Sequence, residues 1–356
     1  MPAARLSVVI VTHNSRGAIE PTLAALEDEL REGDELIVVD NDSGDGTPEA
    51  VERLAPRARL VETGANLGFA AGCNAGAAVA SGELLLLLNP DAVPQPGFRE
   101  AIERPLGESG WAAWMGLVTD EGGRAVNTRG GVVHFPGIAW AGGAGEPLTE
   151  PLVAGEVGFA SGACLAIPLA TWREAGGMPA EFFLYQEDVD LSLRLRLGGG
   201  RIGIEPEARV DHDYEFAKGP AKWRHLERNR WAVLLRTYPA ALLALLAPAL
   251  ILTELALVAV SIAGGWGRQK GLAWLDVARA LPRLVGERRA IQARRTIGAG
   301  EFARPLVAEL DSAHLGRAAD SRPLRLALRA YWSLVLALLG STEGGRSSTS
   351  PPAGAA

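Results

Sequence analysis

Five consecutive leucines, Leu84–Leu88, end at Asn89-Pro90-Asp91, and this run limits the fold more than any other feature of the chain. A strand so apolar has no side suited to water, so both of its faces must be covered. Helices packed above and below a sheet provide that cover, and alternating β and α segments produce such layers. The segments around it supply the alternation. Leu6–Val11 is an unbroken apolar run, followed by a helical pattern from about Gly17 to Leu30. Glu35–Val39 predicts a second strand, a helix begins near Thr47, Arg59–Glu62 predicts a third strand, and Ala70–Ala80 predicts a helix of small residues. The expected fold is α/β, a Rossmann-like and mainly parallel sheet flanked by helices.

Sheets of this kind bind ligands at the carboxyl ends of their strands. Four successive strands deliver polar groups there: Thr12-His13-Asn14, Asp40-Asn41-Asp42, Asn66-Leu67-Gly68-Phe69 and Asn89-Pro90-Asp91. No GxGxxG follows the first strand and no GxxxxGK[ST] occurs, so dinucleotide and P-loop readings lack support. Asp40 is placed to accept hydrogen bonds from a base or ribose, or else to form a turn or cap the helix near Thr47. Asn74 reads equally as a ligand contact or a helix-packing residue. Asp91 at a strand end suits Mg²⁺ or Mn²⁺ bridged to a diphosphate, or a plain Asn-Pro-Asp turn. His212, in Val210-Asp211-His212, could complete the metal shell.

A second acidic signature, Gln186-Glu187-Asp188-Val189-Asp190-Leu191, opens a helix about a hundred residues beyond the first. Adjacent helix positions point about 100° apart, so Glu187 and Asp188 cannot both face one atom. One is suited to take a proton from an attacking hydroxyl while the other orients or caps. Acidic residues also favour a helix N-terminus for its own sake. Residues 119–157 predict hairpins and loops over the sheet edge, Gly158–Ile167 a β run, Leu169–Ala175 a helix, Arg201–Glu205 a last strand and Lys218–Arg236 a basic helix.

The net charge of −7 is unevenly spread. Phe216 to Arg304 holds 15 Lys/Arg against 5 Asp/Glu, a surplus of +10 that leaves −17 for the remainder. A basic half beside an apolar stretch suggests an anionic membrane surface, and no nucleic-acid partner is expected. Ala240–Gly264 is long enough to cross a bilayer, yet basic flanks on both sides oppose a single crossing. Pro248 and Glu254 favour two shorter helices lying in, or dipping into, one leaflet, with a single span or a buried soluble helical pair as the alternatives. Leu326–Gly340 reads as rather short to span alone. Cys73 and Cys164 read as buried fillers in a reducing compartment, and the N-terminus enters a strand without a signal region. The expected organisation is a catalytic domain over 1–237, a helical membrane-associated region over 238–340 and a disordered tail over 341–356.

Taken in order, Val9–Asn14, Val38–Asn41, Asn66–Phe69 with Asn74, Asn89–Asp91, and Gly158–Leu191 with His212 resemble the family 2 glycosyltransferases. The resemblance covers roughly residues 5–237 and leans to the rhamnosyltransferase-like branch of bacterial polysaccharide and cell-wall assembly. It implies a GT-A fold and an inverting single displacement on a nucleoside-diphosphate sugar, a UDP- or dTDP-sugar. By position, Thr12, Asp40, Asn66, Asn74 and Asn89 would bind the nucleotide sugar, and Asp91 with His212 would hold Mg²⁺ or Mn²⁺. Asp188 would be the base with Glu187 its neighbour, and Ser161 and Gly162 would lie on the acceptor side. The acceptor would be a glycan or polyprenyl-linked glycan, met at the cytoplasmic face of the inner membrane. Two departures stand out: Asn-Pro-Asp replaces Asp-x-Asp, and Met178-Pro179-Ala180 stands where relatives commonly show Phe-Asp-Glu. A polyprenyl-phosphate sugar synthase is the nearest enzymatic alternative, and a catalytically silent scaffold of a polysaccharide assembly complex is the non-enzymatic one.

Overall fold

The structure, a computed structural model, describes residues 5–107, 109–120, 122–148, 152–212, 219, 221–310 and 321–344. Four parallel strands, β1 (Leu6–Thr12), β2 (Glu35–Asp40), β3 (Arg59–Glu62) and β4 (Leu84–Leu88), are joined through α1 (Arg16–Glu29), α2 (Thr47–Leu54) and α3 (Phe69–Val79). β1 lies between β2 and β4, with Thr12 opposite Asp40 and Ile10 opposite Leu88. The chain therefore leaves β1 on one side, returns on the other, and opens a crevice where its direction of travel reverses. Every residue of β1 and β4 is buried, as two-faced cover requires.

Beyond β4 come β5 (Val93–Pro94), α4 (Phe98–Glu103) and β6 (Trp111–Asp120). β7 (Ala125–Thr128), the hairpin β8 (Gly131–Val133) and β9 (Ala139–Ala141), and β10 (Gly155–Glu156) follow. Next are β11 (Cys164–Pro168), α5 (Leu169–Ala175), a 3-10 turn at Ala180–Phe182, α6 (Glu187–Leu197) and β12 (Arg201–Asp211). The large sheet runs β10-β12-β6-β11-β4-β1-β2-β3, with β11 antiparallel to both neighbours and β12 parallel to β6. The fold is thus a mixed sheet, mainly parallel on the crevice side.

Several sequence expectations are corrected. β6 is an interior strand that the pattern did not mark, because its Trp and Gly residues break the aliphatic signal. Only Cys164 onward of the Gly158–Ile167 run is strand, and the residues before it form a turn. The last strand passes Glu205 and reaches Asp211, with a register shift between Glu205 and Arg209 that absorbs Pro206.

The helical part holds the larger surprise. After α7 (Ala221–Thr237), α8 (Ala240–Ala263) is one continuous helix, not two short ones. Pro248 sits on its exposed side, while Leu242, Leu246 and Leu250 pack without a break on the other. That packing outweighs the one backbone hydrogen bond that proline removes. α9 (Gly267–Ala293), α10 (Ala299–Ala303) and α11 (Arg322–Gly344) complete the chain. α8 and α11 are both long and apolar enough to cross a membrane by length and composition, so the shorter reading of Leu326–Gly340 is also revised. Residues 341–344 belong to α11; Lys218 and the rest of the expected tail lie outside the described residues.

Two hydrophobic cores result. One fills the sheet and its covering helices, and the other joins Val133, Phe135 and Phe182 to α7, α8, α10 and α11.

Candidate active site

The first two strand tips meet directly. Thr12 Oγ1 donates to Asp40 Oδ1 at 2.8 Å, and Ser43 gives its N–H (2.9 Å) and its hydroxyl (2.6 Å) to the same carboxylate. Asp40 therefore builds the turn after β2, which carries Asp42 in the left-handed region at φ 61. It does not cap α2, whose N-cap is Gly46. Asn41 extends the network by donating its side-chain N–H to Gly68 O at 3.1 Å.

The third tip turns at Asn66, whose Oδ1 accepts the Gly68 N–H at 3.0 Å. Gly68 has φ 82, and a Cβ there would lie 2.4 Å from Phe183 O, so only glycine fits. That close approach lets Phe183 O accept the N–H of Phe69 at 2.7 Å and start α3. Asn74 faces the other way. Its amide clamps Met178, donating to Met178 O at 2.8 Å and accepting Met178 N–H at 2.9 Å. This is the packing alternative, and with both ends of the amide engaged it departs from the ligand contact expected of Asn74.

The fourth tip meets the end of β12. His212 Nε2 lies 2.9 Å from Asp91 Oδ1, and the Asn89 amide nitrogen lies 3.4 Å from the same ring nitrogen. The imidazole is buried while the Asp91 side chain is 36% exposed, so the pair opens outward through the carboxylate. Carboxylate and imidazole are suitable donors for a divalent cation. Among the described residues no group of three or more His, Cys, Asp or Glu converges. The described residues thus offer two ligands of this kind here, which fits a cation that takes phosphate and water oxygens as well.

Asn89 N–H donates to Ala163 O at 3.0 Å, and one residue earlier Gly162 N–H donates to Asp188 Oδ2, also at 3.0 Å. A Cβ on Gly162 would fall 2.9 Å from the Phe69 ring, so this peptide is threaded between Phe69 and the acidic helix. Ser161 opens the same turn, its oxygen 3.4 Å from Ala163 N. These contacts bring Asn89, Asp91, His212, Ser161, Gly162 and Asp188 into one continuous cluster.

The acidic pair occupies two environments, as their angular separation requires. Asp188 Oδ2 accepts from Gly162 and Oδ1 from Val189 N–H at 2.8 Å. Burial raises its pKa, and those two N–H bonds partly oppose the rise. Glu187 is 4% exposed, and its Oε2 has no hydrogen-bond partner among the described residues. Burial first, and then the nearby Asp188 charge, push its pKa well above the ordinary carboxylate range. Asp190 points elsewhere and pairs with Arg194 at 2.6 Å and Arg236 at 3.3 Å.

The loop that delivers this pair is strained: Phe183, Tyr185 and Gln186 have φ of 64, 73 and 70. Non-glycine residues held there cost about 1–3 kcal/mol each and need outside support. Asn229 of α7, fully buried, provides it by directing its amide N–H group to the carbonyls of Phe182, Leu184 and Tyr185 at 3.1, 3.0 and 2.7 Å. Arg194 braces the preceding stretch, donating to Ala175 O and Gly177 O at 2.5 Å. The sequence reading missed both, since their partners are backbone carbonyls with no residue signature. A polar Asn inside an otherwise basic helix was the one available hint.

Residues 7–134 match the sequence profile described as Glycosyl transferase family 2. Over 247 residues the chain is 30% identical to the N-acetylglucosaminyl-diphospho-decaprenol L-rhamnosyltransferase of Mycobacterium tuberculosis, in strains CDC 1551 / Oshkosh and H37Rv alike. The alignment covers 62% of this chain and 80% of the relative. Among solved structures, GalNAc-T7 with UDP, GalNAc and Mn²⁺ superposes with a TM-score of 0.55 at 16% identity, over 68% of this chain and 50% of that one. The chain spans half the length of that protein, and the likeness is one of fold.

Proposed function

The chain belongs to the family 2 glycosyltransferases and has the GT-A fold; from that premise we propose that it moves a sugar from a nucleoside-diphosphate donor to a hydroxyl of a lipid-linked glycan, with inversion, in cell-wall synthesis. The observation that carries this reading is the contact path from Asp91 and His212 through Asn89, Ala163 and Gly162 to Asp188. It puts a candidate cation site and a candidate base on the two sides of one short turn.

In the proposed displacement the acceptor oxygen attacks the anomeric carbon as the bond to the diphosphate oxygen breaks. The hydroxyl proton passes to Asp188, whose oxygens each use one lone pair on a backbone N–H and keep another for the substrate. Its raised pKa suits it to receive that proton. Burial, with the Asp188 charge beside it, pushes the Glu187 pKa well above the ordinary carboxylate range and so disfavours a second negative charge next to Asp188. Asp91 and His212 would hold Mg²⁺ or Mn²⁺, which supplies positive charge against the departing diphosphate. Thr12, Asp40, Asn66 and Asn89 form the nucleotide-sugar side, Ser161 and Gly162 the acceptor side, and Asn74 acts as a positioning residue.

The name of the mycobacterial relative gives the first pair to assay, an L-rhamnosyl donor and an N-acetylglucosaminyl-diphospho-polyprenol acceptor. Residues 1–237 are the proposed catalytic part and 238–340 the membrane-associated part, held at the cytoplasmic face. The test is nucleoside diphosphate release by the full chain with a panel of UDP- and dTDP-sugars, with and without divalent cation, and with the anomeric configuration of the product read by NMR. Release that needs the diphospho-linked acceptor and yields an inverted product is expected. Transfer to polyprenyl phosphate alone would make the enzyme a sugar-phosphate synthase, and silence with every donor and acceptor would make it a scaffold.

A further inference from the structure

α8 is apolar all round, so its sequence does not say whether lipid surrounds it or touches one side. The structure separates the sides. Leu242, Leu246 and Leu250 are buried, Glu254 continues the same four-residue spacing, and Ser261 closes that side at 1% exposed. Ile251, Leu255 and Ile262 line the opposite side at 62, 64 and 70% exposed.

The inward side is bound to the body of the protein along its length. Tyr331 of α11 donates its hydroxyl to Leu245 O at 2.5 Å. Glu254 pairs with Arg230 of α7, with Lys270 of α9 at 2.9 Å, and with the Trp274 indole N–H at 2.8 Å. Arg230 and Lys270 are themselves buried and share Glu227. Surrounding α8 with lipid would break this cluster and leave an unpaired charge in hydrocarbon, which is strongly unfavourable. Crossing with the cluster intact would draw in α9, with its six Lys/Arg, and α7, which braces the strained loop. α11 repeats the arrangement. Trp332, Val335 and Leu339 are buried, Trp332 stacks on Phe135 at 5.1 Å, and Leu326 and Leu334 face outward at 67 and 57% exposed.

The geometry points to a seat in one leaflet: α8 lies along the membrane with its outer side in the acyl chains, and the exposed arginines of α9 rest on anionic headgroups. This inference rests on the membrane reading above and adds its geometry. Charge names the partner, since α9 holds six Lys/Arg against two Asp/Glu together with the outward Leu281 and Val285, within a stretch from Phe216 to Arg304 whose +10 surplus is opposite in sign to the rest of the chain. Arg268, Arg279 and Arg289 of α9 are exposed, as are Trp274 and Leu275 beside them.

The test places single cysteines at Asp28→Cys in α1 and Ala290→Cys in α9, exposed positions that mark the chain beyond each end of α8, in the full chain. Native Cys73 and Cys164 are buried and stay silent to an impermeant maleimide. In the expression host, neither site should label in intact spheroplasts and both should label in inverted membrane vesicles. Labelling of only one site from either side means a crossing and overturns the seat. Labelling of both sites only from outside keeps the seat and overturns the assigned face. Recovery of the chain wholly in the soluble fraction overturns the membrane reading and the seat with it. In flotation with vesicles of neutral and anionic phospholipid, Ile251→Asp/Leu255→Asp should lower recovery tenfold or more while donor-dependent nucleotide release in detergent is retained. Unchanged flotation of that variant would also overturn the seat.

Discussion

Around β1 and β4 the interior is largely aliphatic and ordered by strand pairing, while between α7, α8 and α9 it is tied by Glu227, Arg230, Glu254 and Lys270. The first interior follows from short-range patterning, because an apolar run buried on both faces has few places to go. The second depends on charges from three different helices finding one another, Glu254 lying 24 residues from Arg230 and Lys270 43 from Glu227. The difference separates the proposed roles: the strand tips carry the candidate nucleotide and cation groups, and the helical interior fixes the loop that leads into α6 and its candidate base, Asp188.

The sharpest way to break this division is Asp188→Asn. It should lower turnover by about 10³-fold while donor affinity, read by calorimetry, stays within a factor of a few. Loss of donor affinity instead would move Asp188 out of the proton-transfer role. Next in size is Lys270→Met, which leaves Glu227 and Glu254 short of a buried partner. It should cost about 3–5 kcal/mol in chemical denaturation, whereas replacing Glu227, Arg230, Glu254 and Lys270 together with apolar residues should be near neutral. If the single change proves harmless, the helical interior does not rest on its charges.

How far each region was legible follows the same line. Strands β1 to β4 stop where an aliphatic run meets Thr12, Asp40, Glu62 or Asn89, and those boundaries are local. The acidic helix announces itself at Glu187 for the same reason. β6 was hidden by Trp111, Trp114 and Gly116, and the end of β12 by Pro206 and the charges around it. The continuity of α8 through Pro248 depends on Leu242, Leu246 and Leu250 entering a core shared with α11, whose Tyr331 holds Leu245 O from 86 residues away, so the local proline signal misled. Asn229 and Arg194 were invisible because what they hold is backbone.

Asn229→Ala tests the link between the two regions. It removes the support of three loop carbonyls and should cost about 2 kcal/mol in stability. It should also lower kcat about tenfold with KM little changed, a split that lost stability alone would not give.

The smallest effect expected is a slope. Burial raises the Glu187 pKa in the folded protein above its unfolded value, so its favourable contribution is whole below the ordinary glutamate range and is lost as pH rises through the folded value. Glu187→Gln should flatten the decline of the urea midpoint as pH rises above the ordinary glutamate range. An unchanged slope would mean that the carboxyl is already ionised.

Asn229 and Arg230 are neighbours in α7, separated by about 1.5 Å of helix rise. One grips the loop before Glu187 and the other grips Glu254 of α8. A displacement of α8 that Arg230 follows is therefore felt one peptide away by the support of the catalytic hinge. The same rod ties α8 to the loop before Glu187, so a load on either would be borne by both.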